Sequence, residues 1–139
     1  MASTLTFDEV LVGQELPPLV LDITPTLIVS TAIATRDYQD VHHDRDLAQQ
    51  KGSKDIFMNI LTTNGFVGRF ITDWAGPEAL LKSVSIRLGA PNYPYDTMTM
   101  SGSVAKKEVV DGQGVVQVAF EGRNSLGDHV TGTVKLCLP

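Results

Sequence analysis

The chain has 139 residues, 42% hydrophobic and 19% charged, enough for one ordinary core and unlike a disordered or collagen-like protein. A formal net charge of -5, with Lys and Arg scattered, argues against a nucleic-acid surface, which needs clustered basic residues. The start MASTLTFDEV has no basic segment leading into an apolar run, and no apolar stretch approaches the ~20 residues of a membrane span, so the expectation is a cytosolic protein without a signal peptide. The lone Cys137 permits no internal disulfide, which suits a reducing compartment, and reads as a small core or edge residue.

Neither a linker nor a repeat interrupts the chain, and a single domain over residues 1–139 is expected. Val12 to Ile23 reads as a lead-in and a first strand. Thr24-Pro25 is a helix start, with Thr able to cap and Pro pre-set for the first turn, and the helix should run to Thr35. Arg36 to Asp44 is polar and reads as a loop. Asp44 then caps a short helix from Arg45 to Lys51, stopped by Gly52. Ile56, Phe57, Ile60, Leu61, Val67, Phe70, Ile71 and Trp74 recur at spacings of three and four, which predicts a long helix with one broad apolar face. Gly65 and Gly68 within it imply close approach to whatever it packs on, and Gly76-Pro77 ends it.

The period then changes to two. Val84, Ile86 and Leu88 alternate with polar residues, as do Met98, Met100, Gly102 and Val104, then Val116, Val118 and Phe120, then Val130, Gly132, Val134, Leu136 and Leu138. One apolar face per strand predicts antiparallel strands covered on one side. Asp111-Gly112 is a hairpin signal, and Asn124 to Asp128 a looser turn. Lys106-Lys107 reads as a solvated hairpin edge. The fold class expected is α+β, a curved antiparallel sheet wrapped round one long helix.

The dense polar constellation is Arg36-Asp37-Tyr38-Gln39-Asp40-Val41-His42-His43-Asp44. Carboxylates beside a histidine favour its imidazolium and tune it around neutrality. A carboxylate and an imidazole in one short loop can converge on one water, remove one proton and deliver another, which is the work of hydrating a double bond. Capping and turn roles on the surface are the plainer alternative. A metal site fits less well, because adjacent His42-His43 is poor geometry for one ion and His129 is distant in sequence. His43 should point away from His42. Arg36 and Arg69 could pair carboxylates or phosphates, and Trp74 belongs to a core or an interface.

Asp37-Tyr38-Gln39-Asp40-Val41-His42, then the small residue Ala48, the helix after Asp55, and Gly89-Ala90-Pro91 with Asp96 in a strand pair together resemble the MaoC-like, R-specific enoyl-CoA hydratases. The resemblance covers nearly the whole chain. It implies a hot-dog fold in which Asp37 and His42 hold and activate the water. It also implies that the thioester oxygen is met by a backbone N–H at the start of the central helix, that of Asn59 with Ile60 beside it. No metal is implied, and no cofactor beyond the CoA of the substrate. Two departures stand out: the family's Asn and Pro inside the motif are Gln39 and Asp40, and its His-Gly at the helix start is Met58-Asn59. Longer segments, among them 52–62, 72–77 and 123–131, are similar to the small subunits of two-chain bacterial steroid side-chain hydratases within that family. That narrower likeness implies water addition across the C17–C20 double bond of a steroid CoA thioester, a heteromer with a second MaoC-like subunit, and a thiolase-like aldolase acting next. The alternatives are a non-catalytic subunit completing a partner's pocket, a hydratase for other enoyl-CoAs, and a scaffold for the aldolase. A hot-dog thioesterase would want a carboxylate on the central helix, where residues 59–70 hold none.

Overall fold

The computed structural model describes residues 3–139; Met1 and Ala2, on which the signal-peptide expectation partly rests, lie outside them. A 3-10 turn at Phe7–Glu9 precedes strand β1 (Leu19–Ile23), helix α1 (Pro25–Ala34), a second 3-10 turn at Asp40–His42, helix α2 (Arg45–Gln50) and the long helix α3 (Ile60–Ala75). Strands β2 (Leu80–Leu88), β3 (Asp96–Val110), β4 (Gln113–Asn124) and β5 (Gly127–Leu138) complete the chain. All five strands form one antiparallel sheet in the order β1-β3-β4-β5-β2. This is the α+β layout expected, with the strands longer than the alternation alone marked. No helix among the described residues is long and apolar enough to cross a membrane.

The alternation works as expected. Met98, Met100 and Val104 of β3, Val116, Val118 and Phe120 of β4, and Val130, Val134 and Leu136 of β5 are buried and join one core with Val67, Phe70 and Ile71 of α3. Burying such side chains stabilises the fold by about 1.5–3 kcal/mol each. Asp111 and Gly112 both take positive φ, 51° and 76°, the backbone of a type I′ hairpin. The second hairpin is tighter than expected: Asn124 pairs with Gly127 across only Ser125 and Leu126.

Several expectations need correction. The long helix begins at Ile60 rather than at Ile56: Asn59, in extended backbone at φ -79° and ψ 160°, is its N-cap, and the residues before it run across to other elements. Phe57 N–H bonds the Val41 carbonyl at 3.0 Å and Met58 N–H the Asn92 carbonyl at 3.1 Å. Gly65 makes no close approach, since a Cβ there would meet nothing, and Gly68 would only touch Leu81 at 3.9 Å. Ile60 and Leu61 are about half exposed rather than core. Lys107 is no solvated edge residue: its Nζ donates to the Val10 carbonyl at 2.6 Å and lies 4.3 Å from the centre of the Phe7 ring, pinning the N-terminal segment to β3. Lys106 pairs with Glu108 at 2.9 Å. Cys137 is buried, as expected.

Candidate active site

Helix α1 starts as the sequence predicts, with Thr24 Oγ1 accepting from Leu27 N–H at 3.0 Å. Its other end aims the site. Arg36 N–H bonds the Ile33 carbonyl and Asp37 N–H the Ala32 carbonyl, each at 2.9 Å, which is the paired closure of a Schellman turn. Arg36 occupies the left-handed position at φ 56°, where glycine is the usual choice because a Cβ is disfavoured there. Its backbone thus turns Asp37 off the end of the helix toward the start of α3.

Within the loop that follows, the polar residues separate by role. Asp44 caps α2 by accepting from Leu47 N–H at 3.0 Å, and Asp40 pairs with Lys51 at 2.8 Å. His43 is exposed. Ala48 on α2 is completely buried. Asp37 and His42, by contrast, converge: His42 Nε2 lies 3.4 Å from Asp37 Oδ2. His42 is only 6% exposed, with its ring set edge-on against Phe57 at 5.0 Å between centroids. His42 Nδ1 is 2.6 Å from the Phe57 carbonyl. A carbonyl oxygen only accepts, so Nδ1 carries the proton and, in the neutral ring, Nε2 presents its lone pair toward Asp37. The other direct bonds to the Asp37 carboxylate come from Asn59 Nδ2 to Oδ2 at 3.1 Å and from Gln39 N–H to Oδ1 at 3.3 Å. These donors hold its pKa below the ordinary carboxylate value: the Asn59 bond is the largest cause, burial works against it, and the Gln39 N–H and then His42 lower it further.

Two acceptors facing one another in this way can each take a hydrogen from one water, leaving the water's own lone pair free. Behind them is the start of α3. Asn59 is the N-cap, at φ -79°, so the position does not demand a glycine. Its Oδ1 accepts from Thr62 N–H at 3.0 Å and from the Thr62 hydroxyl, and its carbonyl accepts from Thr63 N–H at 3.2 Å. The N–H groups of Ile60 and Leu61, in the first turn, have no acceptor within the helix and lie at its positive end.

Sequence reasoning missed two features here. The first is the Asn59 side chain, legible only as an N-cap signal. The second is His129, remote in sequence but buried beside the same helix turn. Its Nδ1 is 2.6 Å from the Ala90 carbonyl and its Nε2 is 2.8 Å from Thr63 Oγ1. Burial pushes its pKa below the ordinary histidine value, against a smaller raising effect of the Ala90 bond, so it is a neutral ring that receives the Thr63 hydroxyl. Arg69 pairs with Asp73 at 3.2 Å along α3, away from Asp37 and His42 in sequence and by partner.

A long helix on a five-stranded antiparallel sheet, with an Asp and a His five residues apart before the helix start, defines a hot-dog protein of the MaoC-like class. No family model matches the chain. It is 59% identical over 127 residues to the 3-oxo-4,17-pregnadiene-20-carboxyl-CoA hydratase beta subunit of Mycobacterium tuberculosis H37Rv, covering 91% of this chain and 95% of that one. A chain in the crystal structure of the ChsH1-ChsH2 complex from Mycobacterium tuberculosis superposes with a TM-score of 0.86 at 60% identity, over 93% of this chain and 98% of that chain. The R-hydratase PhaJ1 from Pseudomonas aeruginosa gives a TM-score of 0.87 at 20% identity, over 98% and 86% of the two chains, a likeness of fold. The chain belongs to the MaoC-like hydratase family, together with the mycobacterial hydratase beta subunit.

Proposed function

We propose that this chain is the catalytic subunit of a two-chain enoyl-CoA hydratase whose substrate is a steroid carrying a three-carbon, C17–C20 unsaturated side chain as its CoA thioester. What carries the reading is the facing of Asp37 Oδ2 and His42 Nε2 at 3.4 Å, with His42 Nδ1 committed to the Phe57 carbonyl. A water donating to both is held over the β carbon of the enoyl thioester, which is C17. As its oxygen bonds C17, the double-bond electrons move toward the thioester carbonyl, and the proton the water gives up returns to the α carbon, C20. Negative charge gathers on the thioester oxygen. The N–H groups of Asn59 and Ile60 at the α3 N-terminus would meet it as preorganised donors, the kind of contact worth about 3–4 kcal/mol in other acyl-transfer sites.

The substrate class comes from the 59% identical relative, which is named for a 3-oxo-4,17-pregnadiene-20-carboxyl-CoA. The chain's own surface agrees with a large apolar body. Tyr38 beside Asp37, and Ile60 and Leu61 in the first turn of α3, are all half exposed or more, as is Ile33 near the end of α1, and apolar surface of this kind marks a ligand or a subunit contact. The partner in this reading is a second MaoC-like subunit, and the 60% identical neighbour is itself a chain of a two-component complex, ChsH1-ChsH2. The 17-hydroxy product is set up for retro-aldol cleavage, so a thiolase-like aldolase would act next. The reaction calls for no cofactor beyond the CoA of the substrate, and a cytoplasmic setting suits a CoA thioester. The test is loss of enoyl-thioester absorbance from that steroid CoA ester, with the second subunit co-expressed. Turnover to a hydrated product is expected. Turnover of short-chain enoyl-CoAs alone would replace the substrate, and inertness toward every enoyl-CoA would overturn the reading.

A further inference from the structure

We propose that the Asn59 side chain is a positioning residue that holds Asp37 Oδ2 with one end of its amide while capping the central helix with the other, so that His42 Nε2 alone carries the travelling proton. The inference deepens the hydratase reading and rests on it.

Asn59 is 1% exposed, and every polar atom of its side chain is engaged. Nδ2 donates to Thr35 Oγ1 at 2.9 Å and to Asp37 Oδ2 at 3.1 Å. Oδ1 accepts from Thr62 N–H and hydroxyl. This orientation is fixed by chemistry: were the amide reversed, its NH2 group would face the Thr62 N–H, donor against donor, and the cap would be lost. The amide therefore must present N–H groups to Asp37. One planar group thus ties the acid–base loop to the first turn of α3, where the donors for the thioester oxygen lie. An amide spaces both halves of the site at a fixed separation, which a glycine at this position could not.

The consequence for the proton is direct. A carboxylate oxygen that accepts an N–H bond is stabilised as an anion and is a poorer place for a proton. Asp37 Oδ1 also accepts, from Gln39. The charged group facing Asp37 is His42, and protonating His42 further favours the Asp37 anion; Asn59, Thr35 and Gln39 are neutral, and Asp40 is turned to Lys51. The sequence of events then balances without a second carrier. Water oxygen bonds the β carbon while its O–H proton passes to His42 Nε2, giving an imidazolium beside the Asp37 anion and an enolate on the thioester. The imidazolium then gives that proton to the α carbon and returns to the neutral ring. Asp37 stays ionised throughout, orienting the water and stabilising the imidazolium.

The experiment compares Asn59→Asp and Asn59→Ser with wild type, in the full chain together with its second hydratase subunit. Both variants keep a capping oxygen for Thr62 N–H and the backbone N–H at position 59. Two readouts are taken: kcat and KM at neutral pH, and the titration of the Asp37 carboxyl carbon by 13C NMR. Asn59→Asp places a second carboxyl against Asp37 Oδ2. It should raise the Asp37 midpoint by about one unit or more, with kcat down about tenfold or more and KM little changed. Asn59→Ser should move the midpoint upward by less. An unmoved Asp37 midpoint in both folded variants, or a wild-type kcat in both, would overturn the proposal. If the wild-type complex hydrates no enoyl-CoA, the functional reading fails by itself, and the Asp37 titration still decides whether Asn59 governs that carboxylate.

Discussion

The segment from Thr35 to Thr63 and the sheet from Asp96 to Leu138 are held together by different kinds of bond. In the sheet, backbone ladders pair β3 with β4 and β4 with β5 over almost their whole length, and the side chains beneath are apolar and buried. In the site segment, side-chain hydrogen bonds add to the backbone ones: His42 to Phe57, Asn59 to Thr35 and Asp37, Asp44 to Leu47, Thr63 to His129. Ladders tolerate many side chains so long as one face stays apolar. A side-chain network depends on each donor and acceptor. Substitutions in the sheet should therefore cost stability and spare the chemistry of whatever remains folded, while in the site segment substitutions of Asp37, His42 and Asn59 should cost the chemistry first.

The sharpest test of the first half of that contrast is Phe70→Ala, at the helix–sheet interface with Phe70 only 2% exposed. It should cost about 3–5 kcal/mol of stability in denaturant unfolding, with kcat per folded molecule near wild type. A smaller loss is expected from Gly132→Ala on β5. A Cβ there would strike the Ser85 carbonyl of β2, so the β2–β5 pairing must shift, at about 1–3 kcal/mol. If either variant lost catalysis while remaining folded, the two regions would not be separable in the way their bonding implies.

Asp44→Ala should cost about 1 kcal/mol through the lost α2 cap, with kcat unchanged, which separates Asp44 from Asp37 and His42 in the same loop. The smallest effect is a pH dependence. His129 is held neutral, with its pKa depressed chiefly by burial, so below about 6.5 the unfolded chain takes up a proton that the folded chain refuses. Stability should then be highest above that pH and decline as pH falls through the window toward the folded pKa. His129→Gln should lower the melting temperature at neutral pH and flatten this decline. An unchanged slope in the variant would place the titrating group elsewhere.

The sheet was legible because period-two alternation is local: each of Met98, Met100, Val116, Val118, Val130 and Val134 announces its face by its neighbours. So were Thr24 and Asp44, whose capping roles involve residues three positions away. Asp37 and His42 were found by spacing within one loop and by family resemblance, and the fold brings them together. What could not be read depends on contacts distant in the chain. The path of the chain into α3 runs through Phe57 and Met58 bonding to Val41 and Asn92, the role of Asn59 follows from an amide reaching Asp37 across 22 positions, and the place of His129 from a bond to Thr63 spanning 66. The Lys107 pin on the Val10 carbonyl spans 97. Nothing in the periodicity around any of these residues records its partner.

The central claim is that the acid–base pair of the hydratase lies on this chain. The most direct test is His42→Ala in this chain alone, assembled with an unaltered second subunit and assayed on 3-oxo-4,17-pregnadiene-20-carboxyl-CoA. The account predicts assembly like wild type and a kcat lower by about two to four decades, as for loss of a general acid–base group. A His42→Ala complex as active as wild type would contradict it and put the pair on the partner, leaving this chain to complete a pocket.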